Sequence, residues 1–200
     1  MSRSIRVVVV DDHEAVRAGL ERVLEASAGF TVLAALADDS GLLGLLDREQ
    51  VDALILDYDL DRTDGLSLCL RVKYRPAPPS VVIYSAYAAP GVVLAATAAQ
   101  ADAVVHKAEP VSALLEVLRR LRRGERLLPP ADPRLLETVA PRLDPADLPV
   151  MALMLDGAEP HAIATALTLD EREVVSRARR IVGRLQAGRS RGTAHTASTP

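Results

Sequence analysis

LILDYDLDRTDG (residues 54–65) decides how this chain is read, because an apolar run leads directly into four aspartates, Asp57, Asp59, Asp61 and Asp64. Either that loop holds a metal and supports phosphoryl chemistry, or it is a solvated turn. The segments around it discriminate. Short apolar runs alternate with longer helical patterns: IRVVVV then HEAVRAGLERVLEAS, FTVLAAL then SGLLGLLDR, DALILD then GLSLCLRV, SVVIYSA then PGVVLAATAAQ, and ADAVVHK then VSALLEVLRRLRR. Five strand-helix units in series imply a doubly wound, five-stranded parallel α/β sheet, because parallel neighbours need a crossover between them. Val16, Leu20, Val23 and Leu24 mark the core face of the first helix.

In such a sheet ligands sit outside the carboxyl ends of the strands. Strand 1 closes in Asp11 and Asp12, strand 3 in Asp57, strand 4 in Ser85 and strand 5 in Lys107. Three carboxylates at one sheet edge repel one another, and a hard divalent cation such as Mg²⁺ with oxygen ligands holds them together. Lys107 adds a compact positive charge in a chain that otherwise prefers arginine, and Ser85 adds a hydroxyl. Metal and ammonium would neutralise a phosphoryl group while a carboxylate attacks phosphorus. Taken singly, each residue is a strand end in water, the reading kept for the side chains of Asp59 and Asp61; His13 reads as a helix-start residue. The five together are not so dismissed.

The first 123 residues resemble the receiver domain of bacterial two-component response regulators, with VVVVDDHEAVRAGL, LILDYDLDRTDGL, VVIYSAY and VVHK in family order and spacing. The resemblance implies the CheY/flavodoxin-like fold, with Asp57 as phospho-acceptor, Asp11 and Asp12 as the Mg²⁺-binding pair, Ser85 as the switch hydroxyl and Lys107 as the phosphate-contacting lysine. Asp59 would lend the metal its backbone carbonyl. The chain departs from the family pattern in having Asp61 in place of a proline, and Gln100 and Ala103 in place of glycines. Val104 stands where an aromatic switch residue is expected, so phosphorylation is expected to shift the conformational population less than in a typical receiver. A rival reading takes DLDRT (residues 59–63) as the D-x-D-x-T signature of haloacid-dehalogenase-type phosphatases. Its position disfavours it, since the apolar run leads into Asp57 and leaves Asp59 already in the loop.

GERLLPPADP (residues 124–133) reads as a linker. Strand signals stop there and three short helical patterns follow within 134–187. Residues 142 to 186 resemble the LuxR-type helix-turn-helix of NarL/FixJ-type regulators, with Asp144-Pro145 at the first helix, Gly157 closing it, and Asp170 to Leu185 as the recognition helix. Val174, Ala178, Ile181, Val182 and Leu185 form its stripe, and Asp170 with Glu173 is spaced as a capping box. Seven arginines against one acid occupy residues 172 to 191. The candidate DNA contacts are Arg172, Arg177, Arg179, Arg180 and Arg184, because arginine serves both guanine edges and phosphates. Val175 replaces a family lysine, Arg177 a histidine and Thr168 the turn glycine. Pro149 argues for a helix starting later, with Asp147 as its cap. The tail, 188–200, is too polar to pack and reads as disordered.

With 200 residues and 49 % hydrophobic content the chain can build real cores, and a net charge of −3 gives no global argument for nucleic acid. One cysteine, Cys69, forms no internal disulfide and suits a reducing cytoplasm. No apolar run reaches membrane-spanning length. The expectation is a cytoplasmic, dimeric regulator that accepts phosphate from a sensor histidine kinase and binds double-stranded DNA. The alternative is a helical domain that binds protein, or that reads DNA without phosphorylation.

Overall fold

β1 (Ile5–Val10), β2 (Phe30–Leu36), β3 (Ala53–Asp57), β4 (Ser80–Ser85) and β5 (Ala103–His106) pair in parallel in the order β2-β1-β3-β4-β5. The computed structural model describes residues 3–61, 63–87, 89–125, 127–128 and 133–187. The crossovers are α1 (Glu14–Ala26), α2 (Leu42–Arg48), α3 (Gly65–Lys73) and α4 (Pro90–Ala98), and α5 (Val111–Arg122) follows the last strand. Four more helices follow: α6 (Pro133–Val139), α7 (Leu148–Leu155), α8 (Pro160–Leu167) and α9 (Glu171–Ala187). α6 precedes the three expected patterns. Most of the linker's middle and the whole of 188–200 lie outside the described residues.

The strands read as unbroken apolar runs because both sheet faces are covered. Val7 and Val9 of β1 join Ile55, Val82 and Val105 in one core beneath α1 and α5. Val8 and Val10 join Leu54, Leu56, Val81 and Ile83 in the other, beneath α2, α3 and α4. This second core does not end at the receiver. It continues without a break into Val150, Met151, Met154, Ile163, Val174 and Ile181 of the C-terminal helices.

α4 explains the continuity. Its sequence, PGVVLAATA, buries Val92, Leu94, Ala95, Ala96, Thr97 and Ala98, and a helix apolar on all sides has to be covered on all sides. One side lies on the sheet, and α7 and α9 pack on the other. Gln100, left-handed with φ 63, directs its amide Nε2 toward the carbonyl oxygens of Met154 at 3.4 Å and Ala158 at 3.5 Å. A glycine here would turn the chain as easily but could not reach across.

α7 begins after Asp147, as Pro149 requires, but Asp147 does not cap it with its side chain. Thr168 ends α8 in the left-handed region, with φ 55 and ψ 44, so the turn keeps the geometry for which glycine is the usual residue. The Asp170–Glu173 capping box is replaced: Asp170 accepts from the Arg172 amide at 2.7 Å, while Glu173 pairs with Arg177.

Candidate phospho-acceptor site and the C-terminal helix face

β3 delivers Asp57 to the carboxyl edge of the sheet, where it is 3 % exposed. β1 delivers Asp11, 1 % exposed, and Ser85 closes β4 at 1 %. Lys107, one residue beyond β5, is held in place by its own amide, which donates to the Ser85 carbonyl at 2.7 Å. Its ammonium bridges the two acids, with Nζ 2.7 Å from Asp11 Oδ2 and 2.8 Å from Asp57 Oδ2.

Burial pushes the Asp57 carboxyl above the usual carboxylate range; the hydrogen bond from Lys107 works against this, and the charge of Asp11 adds to it. Burial alone would lower Lys107, but its bonds to Asp11 and Asp57 raise it. Asp12 goes the other way: burial works to raise it, yet His13 and Asp61 beside it hold it below the usual range. Asp61 is exposed, as expected, and is also a neighbour of Asp12.

One donor atom each from Asp11, Asp12, His13 and Asp57 lies within 4.8 Å of all the others. Asp12 Oδ1 is buried and makes no well-aligned hydrogen bond among the described residues, although His13 Nδ1 lies 2.6 Å away. An orphaned carboxylate oxygen aimed into an acidic cluster is what a divalent cation satisfies, so the residues fit Mg²⁺. The Asp59 amide donates to Asp57 Oδ1 at 3.4 Å, and Asp59 bridges Asp64 across the loop.

The loop is pinned from behind. Asp64 caps α3, accepting from the amides of Leu66 and Ser67, and the Gly65 amide donates to the Tyr58 carbonyl at 3.2 Å. Ser85 Oγ accepts from the Tyr87 amide at 3.0 Å. Val104 is half-buried and packs into the core shared with the C-terminal helices.

α9 puts Val174, Ala178, Ile181, Val182 and Leu185 into the core. Its neighbouring face rests on the receiver. Val175 lines a cleft of about 1390 Å³ opposite Lys73 and Tyr74, the charge of Arg179 acts on the Tyr74 phenol, and Gln186 Nε2 donates to Asp64 Oδ1. The five candidate arginines are thus distributed differently. Arg172 lines the same cleft, and Arg179 faces the receiver. Arg177 pairs with Glu173 and donates to the Ala146 carbonyl at 2.5 Å. Arg180 forks onto Asp147, with Nη2 2.7 Å from Oδ1 and Nε 3.3 Å from Oδ2. Arg184 is exposed. Asp147 is fully buried, a signal its sequence did not carry.

The family model for the response regulator receiver domain matches residues 7–119. The chain is 27 % identical over 122 residues to the nitrate/nitrite response regulator protein NarP of Escherichia coli, covering 61 % of this chain and 57 % of NarP. It is 31 % identical over 109 residues to a protein-glutamate methylesterase/protein-glutamine glutaminase of Paramagnetospirillum magneticum, covering 54 % of this chain and 29 % of the relative. The chain therefore spans less than two thirds of the length of either. A solved structure of the RcsB response regulator of Salmonella typhimurium superposes with a TM-score of 0.58 at 24 % identity, covering 92 % of this chain and 93 % of that one, a likeness of fold.

Proposed function

The chain belongs to the response regulator receiver family, and from that premise we propose that phosphorylation of Asp57 controls a C-terminal helix-turn-helix that binds DNA and regulates transcription. The observation that carries it is the Lys107 ammonium bridging Asp11 and Asp57 at the carboxyl edge of the sheet. A buried, basic carboxylate is a nucleophile with a fixed counter-charge already in place.

Asp57 attacks the phosphorus of a phosphohistidine on a sensor kinase; the new P–O bond forms as the P–N bond breaks, and the donor imidazole keeps the electron pair and takes a proton. Lys107 then exchanges a carboxylate oxygen for a phosphoryl oxygen. Ser85, whose hydroxyl oxygen accepts from the Tyr87 amide and still carries a hydrogen to donate, orients toward the same group. Mg²⁺, held by Asp11, Asp12, Asp57 and the Asp59 carbonyl, would supply charge neutralisation for the phosphoryl oxygens. The transfer is to the protein's own side chain, and no turnover of a free substrate is required of it. The chain spans 29 % of the length of the methylesterase relative, so that relative's activity is not carried over to it.

In the state described, the Val175–Arg179–Gln186 face of α9 lies on the receiver. Reading DNA with it requires the helical domain to leave, and phosphorylation supplies the bias. Val104 in place of an aromatic lever makes that bias smaller. RcsB, which shares this fold, has been solved on DNA and as dimers on two DNAs, and a dimer on paired half-sites is the arrangement assigned here. No described helix is long and apolar enough to cross a membrane, consistent with a cytoplasmic site of action. The local ties of Arg177 and Arg180 favour a second reading, in which the helical domain receives a protein.

The test is recovery of sheared genomic fragments by the full chain with and without beryllofluoride, alongside Asp57→Asn. Enrichment of a few sites that rises with the mimic, and not in Asp57→Asn, is expected. Retention of no DNA in either state would transfer the output to a protein partner, and labelling of Asp57→Asn by a phosphodonor would remove Asp57 from its role.

A further inference from the structure

We propose that His13 is a metal ligand, and that it shifts the acidic pocket toward divalent cations that accept nitrogen, such as Mn²⁺ and Co²⁺, over Mg²⁺. This rests on the receiver reading of that pocket and deepens it. His13 occupies the N-cap position of α1 but makes no capping hydrogen bond with its side chain. Its backbone is fixed instead, its amide donating to Asp11 Oδ1 at 2.9 Å. The ring is thereby carried over the carboxylates: Nδ1 lies 2.6 Å from Asp12 Oδ1, 3.4 Å from Asp11 Oδ1 and 3.9 Å from Asp57 Oδ2. That nitrogen is on the same side of the pocket as the buried Asp12 oxygen that makes no well-aligned hydrogen bond.

A cation seated among these atoms would meet oxygens from Asp11, Asp12 and Asp57 and the nitrogen of His13. The ring is 66 % exposed, so it can move by tenths of an ångström to complete a coordination sphere without disturbing the core. Mg²⁺ gains little from imidazole and keeps oxygen or water in that place, whereas the first-row divalents bind it with rising strength from Mn²⁺ onward. A nitrogen in this position therefore works as a selectivity element.

The measurement is pulsed electron paramagnetic resonance of Mn²⁺ bound to the full-length protein, with Mg²⁺ competition, for wild type, His13→Gln and Asp12→Asn. Expected is the nuclear modulation of a directly bound imidazole ¹⁴N in wild type, its loss in His13→Gln while Mn²⁺ still binds, and a drop of roughly tenfold in the preference for Mn²⁺ over Mg²⁺. Mn²⁺ bound without directly coordinated nitrogen in wild type would overturn the proposal and leave the pocket intact, with His13 reduced to a charge partner. Metal binding indifferent to Asp12→Asn would overturn the pocket reading and the proposal with it. The exposed ring makes unfolding of His13→Gln an unexpected result, and circular dichroism of the variant checks it.

Discussion

Gly65 lies directly against the backbone of Asp57: a Cβ at residue 65 would come within 2.1 Å of the Asp57 carbonyl oxygen and 2.8 Å of that of Tyr58. Neither carbonyl can yield easily. Asp57 is registered against Tyr84 in the sheet, and the Gly65 amide is bonded to Tyr58. Gly65→Ala is expected to destabilise the protein by about 2–4 kcal/mol and to weaken beryllofluoride binding, because the loop that presents Asp57 has to shift. Urea denaturation together with fluoride-dependent NMR reads both effects; a variant of unchanged stability would mean that α3 swings freely.

Thr168 should be improved by replacement with glycine, the residue that its turn geometry ordinarily takes. It is a β-branched residue at φ 55, where the branch crowds the backbone, and glycine removes that strain. Thr168→Gly is expected to stabilise the fold by about 1 kcal/mol, seen as a higher melting temperature. A lower one would assign the threonine a contact that outweighs its strain.

Tyr74 makes the protein sensitive to alkali. Burial pushes its phenol up to about 12, with Arg179 pulling the other way, and its buried hydroxyl has no hydrogen-bond partner. The folded value lies above the ordinary phenol value of about 10, so this group's contribution is fully present below pH ~10 and is lost as pH rises from there toward ~12. Tyr74→Phe is expected to flatten that alkaline limb and, at neutral pH, to leave stability equal or higher by up to about 1 kcal/mol. Chemical denaturation across pH 8 to 12, roughly the window between those two values, gives the comparison. An unchanged limb would move the sensitivity to another group.

Arg180 is the partner of a carboxylate with no access to water, Asp147. Its removal leaves that charge buried and unpaired, so Arg180→Ala is expected to cost about 1–3 kcal/mol. Asp147→Asn combined with Arg180→Ala should recover part of the loss, and a double-mutant cycle in urea measures the coupling. An additive cycle would return Arg180 to the role of a surface arginine available to a ligand. Loss of DNA retention by Arg180→Ala alone would say little unless the folded fraction is measured as well.

The strands and the receiver pocket were legible because continuous apolar runs ending in Asp11, Asp57, Ser85 and Lys107 leave few alternatives to a parallel sheet with its ligands at one edge. His13 stands at the start of α1, as its position in the sequence indicates, but sequence spacing does not report that its ring lies over the carboxylates. Asp61 is exposed, as its loop position indicates, but sequence spacing does not report that it also lies beside Asp12. The arginine face of α9 followed from helical periodicity, which identifies the buried stripe well but cannot see Glu173 and Asp147 engaging Arg177 and Arg180. One signal was present and unused. PGVVLAATA has no polar side apart from its threonine, and a helix of that composition announces a second covering layer.

That layer makes the molecule a single cooperative unit under heat or denaturant. The helices beyond residue 133 and the receiver share one apolar core through α4, so neither half is complete alone: each completes the other's interior. One calorimetric peak, not two, belongs to such a chain. Severing it between α5 and α6 would leave two fragments with raw apolar faces, prone to aggregate, where an ordinary two-domain protein would give two soluble ones. The same accounting governs opening in the cell, since whatever parts the halves must also supply α4 with something else to touch.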